Sequence, residues 1–170
     1  MGIFKKWVLP FGLVGLVFAI DQFTKWLTVR NLSLGEQRTV IEGVLSLHHY
    51  QNTGMSFGWF QGGRWVFVAV TVVIVPALIY YYTMLPKNKL GTTMRIATLV
   101  LLGGALGNFY DRLFRGYVVD MILIQFINFP FIFNMADVFL VCSVIALVVM
   151  SFFVKEPPKK PKLPRKIKNG

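Results

Sequence analysis

The chain has 170 residues, of which 55% are hydrophobic, and its mean hydropathy is +0.61, which is more apolar than an ordinary soluble domain of this size. Its formal net charge of +11 requires no nucleic-acid partner, because the basic residues lie mainly between and beyond the apolar runs. A single cysteine, Cys142, excludes an intrachain disulfide and a cysteine metal cluster. The composition predicts an integral membrane protein.

Four apolar segments follow one another along the chain. Trp65–Leu85 has 21 residues without a charge, and about 20 residues suffice to cross the hydrocarbon core. The segments Trp7–Ile20, Ile96–Tyr110 and Val138–Val154 reach that length only when neighbouring polar residues are included. We therefore predict four transmembrane helices whose ends carry these polar groups.

The lysines and arginines predict how the helices are oriented. Twelve of them lie before the first span, between the second and third, and in residues 155–170, whereas the opposite loops hold five arginines. Basic loops stay in the cytoplasm, so both termini are predicted to be cytoplasmic. We expect residues 1–154 to form one membrane-embedded domain and residues 155–170, rich in proline and lysine, to form a disordered basic tail near acidic membrane lipids.

This topology brings three polar clusters to the outer membrane face. The first helix ends there at Asp21–Val29, the third ends there at Asn108–Arg112, and the fourth begins there at Asn134. Ionisable residues at membrane depth are costly and are candidates for function. The sequence thus predicts a functional site on the outer side.

Two outer segments flank this predicted site. The connection Thr28–Gly63 is long, and its part Thr39–Tyr50 is rich in β-branched and apolar residues, which predicts a small sheet. Ile122–Phe133 is apolar but too short to span a membrane, so we predict an interfacial helix there.

Several polar residues allow two interpretations. Asp21 and Lys25 share a helix face, either as part of a site or as a lysine that reaches the membrane interface beside a neutralising acid. Asn108 and Arg112 are one turn apart, and the arginine is either a membrane anchor or a ligand for a substrate carbonyl or for the carboxylates of the site. Gly103 and Gly107 have the spacing of a helix-packing motif.

A serine-hydrolase pattern at Gly54–Gly58 is interpreted as a chance match, because no histidine follows Ser56. His48 and His49 have no third ligand that would indicate a metal site. Asn52, Thr53 and Gly54 are predicted to form a tight polar turn.

Asp120 and Asp137 are candidates for a catalytic pair or, alternatively, for helix-capping residues. Two carboxylates about 5 Å apart repel by roughly 3 kcal/mol at an effective dielectric constant of 20, so one should keep its proton near neutral pH. A proton-coupled transporter and a non-catalytic membrane receptor are alternative functions. A transporter would place its polar groups near the bilayer midplane rather than at one end.

Five motifs, in this order along the predicted spans, resemble those of bacterial lipoprotein signal peptidases (signal peptidase II). They are DQFTK at 21–25, NTGMSFG at 52–58, GGALGNFYDR at 103–112, VVD at 118–120 and FNMAD at 133–137. The resemblance covers nearly all of residues 7–154, with no departure at a functional position.

The resemblance implies an aspartyl endopeptidase of the bacterial inner membrane, which cleaves diacylglyceryl-modified prolipoproteins before the lipidated cysteine. It implies that Asp120 and Asp137 are catalytic, and that no metal or organic cofactor takes part. Its implied supporting or substrate-binding residues are Asp21, Lys25, Asn52, Gly54, Gly104, Asn108, Arg112, Asn134 and Ala136. The expected partners are lipidated prolipoproteins and membrane lipids, and we expect a monomer.

Overall fold

The computed structural model describes residues 3–54, 62–125 and 131–154. Its α-helices are α1 (Ile3–Asn31), α2 (Arg64–Met84), α3 (Lys89–Tyr110) and α4 (Met135–Ser151), and α3 continues into a π-helical turn at Asp111–Arg115. Its strands are β1 (Gln37–Ile41), β2 (Leu45–Asn52), β3 (Val118–Ile124) and β4 (Phe131–Phe133). The basic tail predicted at residues 155–170 lies outside the described residues.

All four predicted spans are helical. Within the described ranges, three segments are long and apolar enough to cross a membrane: Val8–Asn31, Arg64–Met84 and Lys89–Arg115. The fourth, α4, is also apolar but has 17 residues. Helix α1 runs well past the predicted end of its apolar segment, because the charges of Asp21 and Lys25 are paired within the protein rather than exposed.

Helix α3 is the central helix and packs against α1, α2 and α4. Its glycines permit this close approach. A Cβ atom on Gly103 would lie 2.7 Å from Val17 Cβ on α1, and one on Gly104 would lie 2.9 Å from the carbonyl oxygen of Ala136 on α4. A Cβ atom on Gly107 would collide with the Asp21 carboxylate on α1. The predicted packing role of Gly103 and Gly107 is confirmed, and it brings the C-terminal ends of α1 and α3 close to the N-terminal end of α4.

The four strands form one antiparallel sheet in the order β1-β2-β3-β4. The sheet predicted at Thr39–Tyr50 is confirmed as the hairpin of β1 and β2. Strand β3 follows the π-helical turn almost directly, so the sheet is attached to the C-terminal end of α3. In its register with β2, Tyr50 is opposite Asp120 and Asn52 is opposite Val118.

The interfacial helix predicted at Ile122–Phe133 is wrong for the described residues of that segment. Ile122–Ile124 belong to β3 and pair antiparallel with Phe131–Phe133 of β4. A neighbouring edge on β2 satisfies the backbone hydrogen bonds of β3, so this apolar segment extends the sheet instead of forming a helix. Residues 126–130 lie outside the described part of the chain.

Candidate active site

Asp120 lies in the middle of β3 and is buried, with 2% of its surface exposed. Asn52 Nδ2 donates a hydrogen bond of 2.8 Å to Asp120 Oδ2, and Asn134 Nδ2 donates one of 2.5 Å to Asp120 Oδ1. The strand register explains the first contact, since Asn52 and Asp120 are diagonal neighbours on adjacent strands. Both oxygens of the carboxyl group are therefore held from opposite sides.

Asp137 lies in the first turn of α4 and forms a capping box with Asn134. Asn134 Oδ1 accepts a hydrogen bond of 3.1 Å from the Asp137 amide, and Asp137 Oδ2 accepts one of 3.2 Å from the Asn134 amide. The other oxygen, Oδ1, accepts a bond of 2.7 Å from Asn108 Nδ2. The capping interpretation of Asp137 is correct, but the cap occupies only one of its two carboxylate oxygens.

Asn134 thus joins the two aspartates. Its side-chain nitrogen binds Asp120 and its side-chain oxygen binds the backbone of Asp137. Asp120 and Asp137 are 17 positions apart in sequence, one on a strand and the other on a helix. They meet at the two ends of the buried Asn134 amide. The structure therefore places Asp120 and Asp137 in a single site.

Burial, and after it the negative charge of Asp137, raise the pKa of Asp120 to about 7. The hydrogen bonds from Asn52 and Asn134 act against this rise, but they are weaker than the desolvation of the carboxylate. Asp120 consequently keeps its proton to near neutral pH. This agrees with the prediction that one acid of the pair stays protonated.

Lys25 is fully buried, so the interpretation as a lysine that reaches the membrane interface is wrong. Its Nζ atom lies 2.8 Å from Asp21 Oδ2, 2.8 Å from Asp111 Oδ2 and 3.1 Å from Asn108 Oδ1. A lysine ammonium group has only donors, so it must face the oxygen of the Asn108 amide. The nitrogen of that amide then points at Asp137.

Arg112, in the π-helical turn that follows α3, donates hydrogen bonds to backbone carbonyls. Its Nη2 donates to the Gly54 carbonyl at 3.3 Å, its Nη1 donates to the Asn108 carbonyl at 3.4 Å, and its guanidinium lies 4.6 Å from the Phe67 ring centre. The Gly54 amide in turn donates to Asn52 Oδ1 at 3.0 Å, which forms the predicted polar turn. Arg112 therefore ties this turn to α3.

Gly104 and Ala136 provide the close packing beneath the aspartates. Ala136 is completely buried, and its amide donates to Asp21 Oδ1 at 3.0 Å. Gly104 leaves space for the Ala136 carbonyl. With these two residues, all of the predicted site residues lie in one connected cluster.

The prediction from sequence missed Asp111 and Gln22. Asp111 is fully buried and pairs with Lys25 and Arg115. Gln22 Nε2 donates to Asp21 Oδ2 and Asp111 Oδ1. Both residues lie inside the quoted motifs, Gln22 next to Asp21 and Asp111 next to Arg112, and this adjacency is the signal that could have identified them.

A cavity of about 420 Å³ opens beside Asp137, between α2, α3 and α4. Asn108, Arg112 and Asp137 line one end of it, and apolar side chains such as Ile74 and Val144 line the rest. An apolar segment with a polar peptide group at one end would fit this distribution. In the described ranges, no group of three His, Cys, Asp or Glu side chains is arranged to hold a metal ion.

Known proteins resemble this chain over most of its length. A family model described as signal peptidase (SPase) II matches residues 13–153. The lipoprotein signal peptidase of Geobacillus thermodenitrificans (strain NG80-2) is 42% identical over 162 residues, which cover 94% of this chain and 98% of that protein. That of Enterococcus faecalis (strain ATCC 700802 / V583) is 40% identical over 156 residues, covering 91% and 94%. The chain also resembles a solved structure described as a bacterial membrane enzyme, determined by the in meso method at 2.3 Å resolution. The two share 31% of their residues with a TM-score of 0.75, and the match covers 92% of this chain and 94% of the solved one.

Proposed function

The chain belongs to the signal peptidase II family of membrane aspartic peptidases, and from that premise we propose that Asp120 and Asp137 are its catalytic pair. The substrate would be a prolipoprotein that carries diacylglycerol on a cysteine, and the enzyme would cleave the peptide bond before that cysteine. One observation carries this proposal: Asn134 binds Asp120 through one end of its side-chain amide and the Asp137 backbone through the other, beside an open cavity.

The two aspartates would divide the chemistry by protonation state. Asp137, as the ionised member, would take a proton from a water molecule, whose oxygen attacks the scissile carbonyl carbon. Asp120, whose pKa is raised to about 7, would hold the proton that polarises the carbonyl oxygen. As the C–N bond breaks, the proton taken from water passes to the leaving nitrogen, which leaves a carboxylic acid on the signal peptide and an amine on the lipidated cysteine.

The neighbouring side chains would hold the two carboxyl groups in position. Asn52 and Asn134 hold the two oxygens of Asp120, and Asn108 holds one oxygen of Asp137. The Oδ2 atom of Asp137 is held by the cap of α4. Such fixed donors reduce the reorganisation needed during the reaction.

The cavity supports a membrane-embedded substrate. Its apolar walls on α2, α3 and α4 suit an apolar signal-peptide segment or an acyl chain, and its polar end is the end that contains Asp137. With both termini in the cytoplasm, as the distribution of lysine and arginine indicates, the aspartates would face the outer side of the cytoplasmic membrane. A substrate could then enter sideways from the bilayer, and one copy of the chain would suffice.

Cleavage by the purified protein tests this function. The full chain in detergent, incubated with a diacylglyceryl-modified prolipoprotein, should release the signal peptide, and the same prolipoprotein without the lipid should react far more slowly. Asp120→Asn and Asp137→Asn should each lower kcat by about 10²- to 10⁴-fold, because each removes an acid or base from the reaction. Glu36→Gln, an acid-to-amide change at a surface ion pair, is the matched control and should cleave normally. Native rates in either aspartate variant would reject the assignment.

A further inference from the structure

We infer that Asp111 is a positioning residue for the reaction, because it completes a buried ion cluster that holds the backbone before each catalytic aspartate. The cluster consists of Asp21, Lys25 and Asp111. This inference rests on the proposed function of Asp120 and Asp137. Among the described residues, the Asp111 carboxylate pairs with Lys25 and Arg115 and not with Asp120 or Asp137.

The cluster is compact and shielded from solvent. Lys25 Nζ lies 2.8 Å from an oxygen of Asp21 and 2.8 Å from an oxygen of Asp111, and the side chains of all three residues have 0% exposure. Asp111 also pairs with Arg115, so two acids and two bases balance in charge. A buried group of this kind holds its geometry closely, since each ion needs its partners to offset the loss of water.

The two acids of the cluster act on the chain in the same way. Asp21 Oδ1 accepts a hydrogen bond of 3.0 Å from the amide of Ala136, which directly precedes Asp137. Asp111 Oδ2 accepts one of 3.4 Å from the amide of Val119, which directly precedes Asp120. The lysine between them therefore connects the start of α4 to strand β3, the two elements that carry the catalytic side chains.

A third contact of the cluster sets the orientation of a side chain. Lys25 donates to Asn108 Oδ1 at 3.1 Å, which leaves Asn108 Nδ2 to donate to Asp137 Oδ1 at 2.7 Å. Without a donor at the Lys25 position, the two ends of the Asn108 amide would be free to exchange. Asp111 fixes the Lys25 ammonium group through its 2.8 Å ion pair and so maintains this orientation as well.

Asp111 thus affects Asp120 through Val119 and affects Asp137 through Lys25 and Asn108. Loss of its charge would leave Lys25 and Arg115 with only one acid, Asp21, and would weaken the hydrogen bond that the Val119 amide donates. Both catalytic carboxylates would lose part of their support, whereas the apolar side chains that line most of the substrate cavity, such as Ile74 and Val144, would keep theirs. We therefore expect the chemical step, and not substrate binding, to suffer.

The test is Asp111→Asn in the full chain, purified in detergent, with a diacylglyceryl-modified prolipoprotein as substrate. We expect kcat per folded molecule to fall by about 10- to 100-fold, the scale of effect that a displacement near 1 Å produces. KM should stay within about twofold. Glu36→Gln, at an exposed ion pair, is the matched acid-to-amide control and should keep the wild-type kcat.

Two further variants show whether Asp111 acts through Lys25. Lys25→Met and the double variant Lys25→Met/Asp111→Asn complete a double-mutant cycle, and the double variant retains Asp21 and Arg115 as a balanced pair of charges. If the residues act as one unit, the loss in kcat of the double variant will be smaller than the product of the two single losses. The double variant also provides the measurement if Asp111→Asn alone does not fold.

The outcomes separate the inference from the proposed function. Wild-type kcat in folded Asp111→Asn, or independent and multiplicative losses in the cycle, would overturn the role of Asp111 while leaving the catalytic pair intact. A purely structural role would lower the folded fraction at an unchanged kcat, and this result also would overturn the inference. Failure of the wild-type protein to cleave the lipidated substrate would instead reject the proposed function itself.

Discussion

Asn134 contacts both aspartates through separate atoms of one amide, so a single side chain serves as helix cap and as site residue. Its oxygen caps α4 and its nitrogen binds Asp120. An amide at this position donates from one atom and accepts at another, whereas an ionised aspartate only accepts and a serine would have to donate and accept through a single oxygen. The position therefore couples the stability of α4 to the alignment of the site.

Replacing Asn134 by alanine should reduce both stability and activity. The lost cap should lower the free energy of unfolding by about 1–2 kcal/mol, and Asp120 should lose one of its two hydrogen bonds, which lowers kcat. Thermal unfolding and kcat measured in the same detergent check both effects.

Asn88→Ala is the matched control, because Asn88 caps α3 by accepting a hydrogen bond from the Gly91 amide at 2.8 Å, at the helix end away from the site. It should lower stability by a similar amount and leave kcat unchanged. Equal losses of kcat in the two variants would contradict the dual role of Asn134.

The raised pKa of Asp120 predicts that the rate of cleavage depends on pH. Its pKa is raised from the ordinary value of 3.8 to about 7 by burial and then by the charge of Asp137. Above about pH 7 the group loses its proton, so kcat/KM should fall there. Assays of wild-type cleavage between pH 5 and pH 9 test this, and a profile that stays flat through pH 8 would contradict it.

The same shift predicts the direction of a stability change. The folded protein binds this proton more tightly than the unfolded chain, so the stabilisation is complete below about pH 4 and is lost as pH rises through about 7. Asp120→Asn should remove this component of the slope. Thermal unfolding of the wild type and the variant across that range provides the comparison, and identical slopes would argue against a raised pKa.

At the scale of the elements, the small residues of α3 determine how closely the helices approach. Gly103 faces α1, Gly104 faces α4, and Gly107 faces Asp21 on α1, where a Cβ atom would collide with the carboxylate. Gly107 directly precedes Asn108, and Gly104 and Gly103 lie one turn or slightly more before it. These three glycines therefore determine both the distance between the helices and the geometry of the buried ion cluster.

Gly103→Ala should push α1 and α3 apart. The added methyl group would meet Val17 Cβ at 2.7 Å and the Val14 carbonyl oxygen at 3.0 Å, and such overpacking typically costs about 1–3 kcal/mol. Gly15→Ala, on an exposed position of α1 with nothing within 4 Å of the added atom, is the control and should be neutral or slightly stabilising. Melting temperatures of both variants in one detergent test the difference. Equal melting temperatures would show that the contact of Gly103 with Val17 does not limit how closely α1 and α3 pack.

The sheet shows where the sequence pattern was insufficient. The alternation at residues 39–50 predicted β1 and β2, but Ile122–Phe133 is almost uniformly apolar and has no helical or strand period to distinguish the two. Pairing with β2 decided the structure of Ile122–Ile124, and their partners on that strand are more than 70 residues distant in sequence. A local pattern could not reveal it.

At the scale of the whole molecule, the predictable features follow from hydrophobic length and from residues at helix ends. The spans and the meeting of three polar clusters could be derived from the sequence alone. The link from Asp111 to Lys25 could not, because these residues are 86 positions apart and an acid beside an arginine resembles a surface pair in sequence. The burial of Lys25 depends on partners from another helix, which no spacing along α1 reveals.

The orientation of the protein in the membrane is also testable. In a Cys142→Ser background, Glu42→Cys in the β1–β2 turn should react with a membrane-impermeant maleimide on intact cells, whereas Lys87→Cys between α2 and α3 should react only after the membrane is opened. Both positions are exposed, so accessibility differs only by membrane side. The reverse pattern would invert the proposed topology.

Helix α2 has no buried residue along its 21 positions, in contrast to α3, on which nine are buried. Most of its surface therefore faces lipid, where one aliphatic side chain serves nearly as well as another. Across relatives, we expect α2 to accumulate exchanges among valine, isoleucine and leucine freely, while Phe67 beneath Arg112 stays aromatic. Evolutionary drift in this family should thus be concentrated on one helix of the bundle.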